Sequence, residues 1–338
     1  MRILVTGITG RIGANLAALL LDEGHEVRGL VWPRDRRIEK LKHLDIELQE
    51  GSLTEVSDVL KAVADMEAVY HLGAAFQGGG PFTADEYFEI NVRGTFNMLE
   101  AARANEQLRG FYFASTDATL QKYPPGGMPE PIREDHIPRR PGGWYSLSKS
   151  VGEDMCGAYA RAAWVPTTVL RFPYVVAGEE ILNFGQFHLS RQKSRPELAS
   201  LWKGEERVVL LRDENGRPYK KHMADVRDIV HGLVSAFDKP EAVGETFQLA
   251  GPRAFTWDEA IPHLSDVLGI PQIEANVQGP PSFYEHDISK AKRILAFDPQ
   301  YDIIRMIDDA VAFRGGDRGG VLSAEDSEPN VPSPAGGG

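Results

Sequence analysis

Short runs of apolar residues alternate, over the first half of the chain, with longer segments in which apolar positions recur every three or four residues. The runs at 2–6 (R-I-L-V-T), 27–31, 46–48, 68–72 (A-V-Y-H-L), 110–114 and 169–172 read as buried strands. The segments 15–23, 37–44, 55–64, 87–104 and 145–163 carry helical periodicity. Strands and helices in regular alternation predict an α/β fold, a doubly wound parallel sheet with helices on both faces. Between 120 and 143 the pattern breaks into six prolines and four glycines. An irregular segment this long inside a compact domain tends to carry function. Past 173 the alternation weakens, although 225–238 and 257–268 read as helices and 246–249 as a strand. Residues 1–172 thus form one domain, to which 222–250 contributes. Residues 173–313 form mainly a smaller C-terminal α/β domain, and the Gly- and Pro-rich 314–338 reads as a disordered tail.

Composition narrows the function classes. The 338 residues are 42% hydrophobic and 25% charged, which excludes a wholly disordered chain. The net charge of −12 argues against binding a phosphate backbone, so no nucleic-acid partner is expected. A single cysteine, Cys156, excludes an internal disulfide framework and a Cys-rich zinc site. The nine histidines show no H-x-x-x-H pairing, and no metal is expected. The longest apolar stretch, 12–21, is interrupted by Asn15 and is far short of the roughly 20 residues a membrane helix needs. The opening residues run directly into a glycine turn, unlike a secretory signal, and the expectation is a soluble cytoplasmic protein.

Two motifs carry chemistry. The first is G-I-T-G-R-I-G, with Gly7, Gly10 and Gly13 between the first strand and the first helix. Such a turn lets a pyrophosphate approach the backbone and meet free N–H groups at the positive helix end, the mark of a Rossmann-type dinucleotide site. Thr9, Arg11 and Ile12 lie in the same turn. The second is Tyr145 with Lys149 in Y-S-L-S-K at the start of a helix. Spacing i, i+4 puts both on one face. A neighbouring ammonium favours the phenolate and would lower the tyrosine pKa, so that Tyr145 could move a proton to or from an alcohol.

These motifs together resemble the extended short-chain dehydrogenase/reductase superfamily, the NAD-dependent epimerase/dehydratase type. Further matches are H-L-G-A-A at 71–75, N-V-R-G-T-F-N-M-L-E-A-A at 91–102, H-M-A-D-V-R-D at 222–228 and D-I-S-K-A-K-R-I-L at 287–295, so the resemblance spans roughly residues 1–313. It implies a nicotinamide cofactor, NAD or NADP, and hydride transfer at a carbinol or carbonyl carbon. Tyr145 would be the acid/base, Lys149 would also hold the nicotinamide ribose, and Thr116, flanked by Ser115, would orient the reacting oxygen. Ser52 and Leu53 would border the adenine, Leu72, Ala74 and Ala75 would form the turn beneath the cofactor, and Phe172 and Pro173 would line the nicotinamide. The family's NAD-type Asp would fall at Val31 and is missing. Arg34, Arg36 and Arg37 follow, with Arg11 nearby, and these lean the expectation to NADP(H).

The same resemblance bears on the substrate. Dehydratases of the family read Thr-Asp-Glu where this chain has Thr116, Asp117 and Ala118, so dehydration is disfavoured. Nucleotide-sugar epimerases carry an Asn where this chain has Tyr174. Residues 191–221 hold nine Lys or Arg against five Asp or Glu, a basic stretch suited to a phosphate or carboxylate. Phe76, Asp117, Tyr174, Asn183 and Lys220 are the substrate-side candidates. Net oxidation or reduction of a sugar, sugar acid or other polyhydroxylated or anionic small molecule is the expected reaction. Epimerisation is the alternative and a non-catalytic nucleotide sensor the remote one. The resemblance also implies a homodimer built through helices 87–104 and 145–163.

Overall fold

The computed structural model describes residues 1–33, 35–76, 82–135 and 137–323. Arg34, one of the residues behind the NADP expectation, lies outside them.

Six strands come first: β1 (Arg2–Thr6), β2 (Glu26–Val31), β3 (Ile46–Glu50), β4 (Ala68–His71), β5 (Gly110–Thr116) and β6 (Thr167–Phe172). They are followed by β7 (Tyr174–Val176), β8 (Val208–Arg212), β9 (Lys220–Lys221), β10 (Met223–Asp225), β11 (Thr246–Gln248), β12 (Phe255–Thr256) and β13 (Gln272–Asn276). One seven-stranded sheet runs in the order β11-β6-β5-β4-β1-β2-β3 with every neighbouring pair parallel. The order reverses between β1 and β4, and in open α/β sheets ligands bind outside the carboxyl ends of the strands at such a switch point. Residues just beyond Thr6 and His71 are therefore the place to look for a ligand.

The helices are α1 (Arg11–Asp22), α2 (Val56–Val63), α3 (Ala84–Tyr87), α4 (Gly94–Ala104), α5 (Trp144–Arg161), α6 (Pro196–Ala199), α7 (Val226–Ser235), α8 (Trp257–Leu268), α9 (Ser289–Leu295) and α10 (Ile303–Arg314). Helix α1 buries Ala14, Leu16, Ala17 and Leu20 against the sheet. Helices α3 and α4 are joined by a π-helical turn, Phe88–Arg93, so the single helix expected at 87–104 starts earlier and carries one wide turn. A capping box between Thr83 and Glu86 starts it. The strand β11 and helices α7 and α9 share the core of the large sheet through residues such as Ile229, Phe247 and Ala291.

A second core is built around Trp257, whose ring packs on Phe187 at 5.4 Å, Phe255 at 5.5 Å and Tyr219 at 5.8 Å. Here β8 and β13 pair in parallel and α8 and α10 cover them. Two links tie this unit to the first. Arg227 on α7 reaches Asp309 on α10 at 2.8 Å. Arg11, in the glycine turn, donates to the Val175 carbonyl at 2.9 Å and pairs with Glu180 at 2.6 Å.

Residues 315–323 differ from the expected disordered tail. Asn15, on an otherwise apolar helix face, donates to the Arg11 carbonyl at 2.7 Å, which leaves its amide oxygen to be satisfied. It also clamps Leu322, donating to its carbonyl at 3.2 Å and accepting from its N–H at 2.9 Å, while Val321 is buried beside it.

The glycine turn is held to tight tolerances. Gly7 sits at φ +68°, and a Cβ there would lie 2.7 Å from the Gly73 nitrogen. A Cβ on Gly13 would lie 2.3 Å from the Gly7 carbonyl oxygen. Gly13→Ala should therefore cost about 1–3 kcal/mol of stability through overpacking and weaken dinucleotide binding by displacing the turn. Thermal denaturation with and without NAD measures both.

Candidate active site

The first wall of the site is backbone. Beyond β1 the chain turns through Gly7–Gly10, and α1 begins with no side-chain cap on its first turn. Three N–H groups at the positive end of a helix are the donors a pyrophosphate needs. Thr9 is buried, and its hydroxyl donates to Asp35 at 2.7 Å. Asp35 lies four residues past β2 and also accepts from Arg37 Nε at 2.8 Å. Burial alone would raise its carboxyl, but the bonds from Arg37 and Thr9 outweigh burial and lower it.

The loop after β4 is fastened from beneath. His71 is fully buried and pushed down to about 3, by burial and then by the Lys149 charge. Thr95 donates to the Asn91 carbonyl at 2.6 Å, so it accepts from His71 Nε2 at 3.0 Å. His71 Nδ1 then accepts from Thr6 at 2.8 Å, and Thr6 accepts from Gly73 N at 2.9 Å. The neutral ring is a structural brace. Asn91, on the π-helical turn, accepts from Ala75 N at 2.7 Å and donates to Ser148 at 2.9 Å. A wide helical turn at a functional site is a recurrent device for aiming one side chain. Leu72, Ala74 and Ala75 thereby form a small-residue floor next to the glycine turn. Ser52 is turned into its own loop, bonding Thr54 at 2.8 Å, and Leu53 packs at Gly94 with its carbonyl accepting from Asn97.

The second wall is the carboxyl end of β5 and the first turns of α5. Thr116 is near enough to the Tyr145 phenol to act on its ionisation. It pairs in register with Phe172 at the end of β6, where buried Pro173 follows. Phe76 packs edge-on against the Tyr145 ring at 5.4 Å. Burial and then the Asp117 carboxylate push the phenol up, and the Thr116 side chain opposes them.

Lys149 lies four residues after Tyr145 on α5 and is buried. Its ammonium donates to the Ala114 carbonyl at 2.8 Å and lies over the Phe113 ring at 4.8 Å. It is pushed down to about 8 by burial, against the pull of Cys156 and Glu153. Both partners of the lysine, the Ala114 carbonyl and the Phe113 ring, lie on β5. Ser115 likewise points to the α5 side, donating to Glu153 at 2.5 Å, and is not brought to the phenol.

Glu153 is the group that sequence reasoning passed over. It receives both arms of the Arg171 guanidinium at 2.8 and 2.7 Å, with both residues buried. It lies eight residues after Tyr145 and four after Lys149, the same spacing that flagged those two. Arg171 was visible only as the first residue of R-F-P-Y.

The substrate-side candidates separate. Asp117 is buried and ion-paired to Lys122, and it accepts from His286 Nε2 at 3.2 Å. Burial would raise its carboxyl; Lys122 and His286 hold it well below the usual range instead. Tyr174 is exposed beside Phe184, and Asn183 is exposed nearby. Lys220 is turned away and paired with Glu285, whereas Lys221 is buried. Lys122, Lys221 and His286 carry no motif and meet only through the fold.

Residues 3–250 match the NAD dependent epimerase/dehydratase family, and the chain belongs to it. It is an enzyme of the extended short-chain dehydrogenase/reductase type. A short-chain dehydrogenase/reductase superfamily protein of Agrobacterium tumefaciens, crystallised with bound NAD, is 30% identical, with 94% of this chain and 98% of that one covered and a TM-score of 0.82. The UDP-glucose 4-epimerase of Corynebacterium glutamicum is 27% identical over 94% of this chain and 98% of its own. The uncharacterized UDP-glucose epimerase YtcB of Bacillus subtilis is 25% identical over 93% and 98%. A dinucleotide fits the residues present: the turn has no room for Cβ atoms at Gly7 and Gly13, its helix end is uncapped, and small residues line its floor.

The Glu153–Arg171 pair makes a direct prediction. Glu153→Ala leaves a buried guanidinium unpaired and should cost about 3–5 kcal/mol, while the double replacement Glu153→Leu with Arg171→Met should recover most of it. Chemical denaturation of the three proteins measures the difference.

Proposed function

We propose that the enzyme oxidises a carbinol carbon of a polyhydroxylated small molecule, or reduces the matching carbonyl, with NAD as its cofactor. The observation that carries this reading is the Tyr145 phenol beside the Thr116 hydroxyl, at the sheet end that also bears the glycine turn. A bound nicotinamide supplies the hydride acceptor or donor. Tyr145 takes the proton from the substrate hydroxyl or returns it, Thr116 holds that oxygen, and Phe76 and Pro173 keep water from the phenol. The raised phenol is the form ready to give a proton. Oxidation requires its loss, and turnover in that direction should rise with pH into the alkaline range.

NAD is favoured over NADP by the partners of the arginines that suggested a phosphate. Arg11 is engaged by Glu180 and Arg37 by Asp35. Asp35, hydrogen-bonded to Thr9, presents a carboxylate near the glycine turn. A carboxylate there suits ribose hydroxyls and repels a 2′-phosphate. The relatives with epimerase names support a second reading, in which the hydride returns to the opposite face of the same substrate.

Tyr145→Phe should lower turnover by about 10²–10⁴-fold and leave NAD binding intact; near-normal turnover refutes the assignment of Tyr145. Calorimetry should find NAD bound at least about tenfold tighter than NADP, with Asp35→Ala narrowing the gap. Accumulation of free NADH during turnover identifies net oxidation. Stoichiometric NAD retained by the purified protein, with no net NADH, identifies epimerisation.

A further inference from the structure

Beside the catalytic tyrosine, the fold buries more positive than negative charge. Lys221 on β9 is buried, and among the described residues no carboxylate pairs with it. Its ammonium has one weak polar partner, Gln186 Oε1 at 3.3 Å. Its other neighbours are ring faces, Phe184 at 4.8 Å and Tyr174 at 5.9 Å. A second buried ammonium, Lys122, faces it closely enough to repel it. Asp117 is the one carboxylate in the cluster, and it is already taken by Lys122 and His286. His286 adds a further unmet group, a buried Nδ1 with no hydrogen-bond partner. The neighbouring His222 is saturated, donating to the Gly251 carbonyl at 2.9 Å and accepting from His286 N at 3.1 Å.

A buried ammonium without a counter-charge costs free energy, which it sheds by giving up its proton or recovers when an anion binds beside it. Burial, then Lys122, push Lys221 down to about 7 against the pull of Asp117. Lys220, its neighbour on the strand, faces the other way and is neutralised by Glu285. The cluster adjoins the site on two sides. Asp117 follows Thr116 in the chain and acts electrostatically on the Tyr145 phenol, and Tyr174 follows Pro173.

We propose that the substrate is a sugar acid whose carboxylate is received by Lys221, with Gln186 and the backing charge of Lys122. This rests on the hydride-transfer reading of the same site and names its substrate class. The anion is a single carboxylate because the receiving group is one ammonium walled by Phe184 and Tyr174. A diphosphate favours forked guanidinium donors, and Arg11, the guanidinium beside Tyr174, is held by Glu180.

The test uses the NAD-loaded enzyme with uronic and aldonic acids, their matched neutral aldoses, sugar phosphates and UDP-glucose. The acids should exceed their neutral partners in kcat/KM by about 10²-fold or more, the scale of a desolvated charge pair. Lys221→Met should collapse that ratio towards unity, mainly through KM, and Lys221→Arg should keep part of it. Because Lys221→Met removes an uncompensated buried charge, its melting temperature should equal or exceed that of the parent, which a structural lysine would not show. Preference for neutral sugars, sugar phosphates or UDP-glucose, or an unchanged ratio in Lys221→Met, overturns the proposal. If no compound is turned over, the hydride-transfer reading fails separately. Calorimetric binding of the same acids and aldoses to NAD-loaded Tyr145→Phe then decides: tighter binding of acids that is lost with Lys221→Met upholds the carboxylate site, and equal binding overturns it.

Discussion

The buried pair between Arg171 and Glu153 is the constraint on which the active site depends. Arg171 lies one residue before the end of β6, Glu153 faces inward from α5, and Ser115, one residue before the end of β5, donates into the same carboxylate. Two strands and a helix are thus joined at one point with all of the strong donors paired. Such a pair adds little net stability, because both ions must be desolvated. What it contributes is register. Helix α5 can neither slide nor rotate without stranding a charge in the core, and Lys149 and Tyr145 lie one and two turns further up the same face.

Around that anchor the site is assembled from chain ends. The glycine turn after β1, the His71–Gly73 segment after β4, Thr116 after β5 and Pro173 after β6 all sit at the carboxyl edge of one parallel sheet. The approach of Gly7 to Gly73 is so close that neither loop could bear a side chain between them. Beneath them the neutral His71 and the amide of Asn91 fix the loops with short hydrogen bonds. The chemistry is presented on a rigid edge, and the second core, around Trp257, supplies Phe184, Gln186 and Lys221 as the facing surface.

Charge is distributed unevenly across these parts. The chain as a whole is acidic, at −12, yet its buried groups around the candidate site include Lys122, Lys149, Arg171 and Lys221 against Asp117 and Glu153. Surface acids are hydrated and screened. Buried ammoniums are neither, and they dominate the local potential that a substrate meets. Net charge therefore speaks to solubility and nucleic-acid avoidance, whereas the few buried groups speak to substrate.

The elements that depend on short-range periodicity were legible in the sequence. The inner strands β1, β4, β5 and β6 stood out as apolar runs because they are buried on both faces, whereas the edge strand β3, I-E-L-Q-E and largely exposed, showed only as a short alternation. The glycine turn and the Tyr145–Lys149 spacing were legible for the same reason, being local geometry written in adjacent residues. Partnership was not. Arg11 looked like a phosphate ligand until the fold brought Glu180 against it; Arg37 is held by Asp35, only two residues away, a local pairing that the sequence reading passed over. Ser115 beside Thr116, and Lys220 beside Lys221, are chain neighbours whose side chains lie on opposite faces of a strand, and only the packing determined which one meets the site. Residues 315–323 carry the composition of a loose tail, but Asn15, some 300 residues earlier, needed a backbone partner and found one in Leu322. Local pattern specified the elements of this protein; long-range pairing of buried polar groups, which no short window contains, decided what each side chain is free to do.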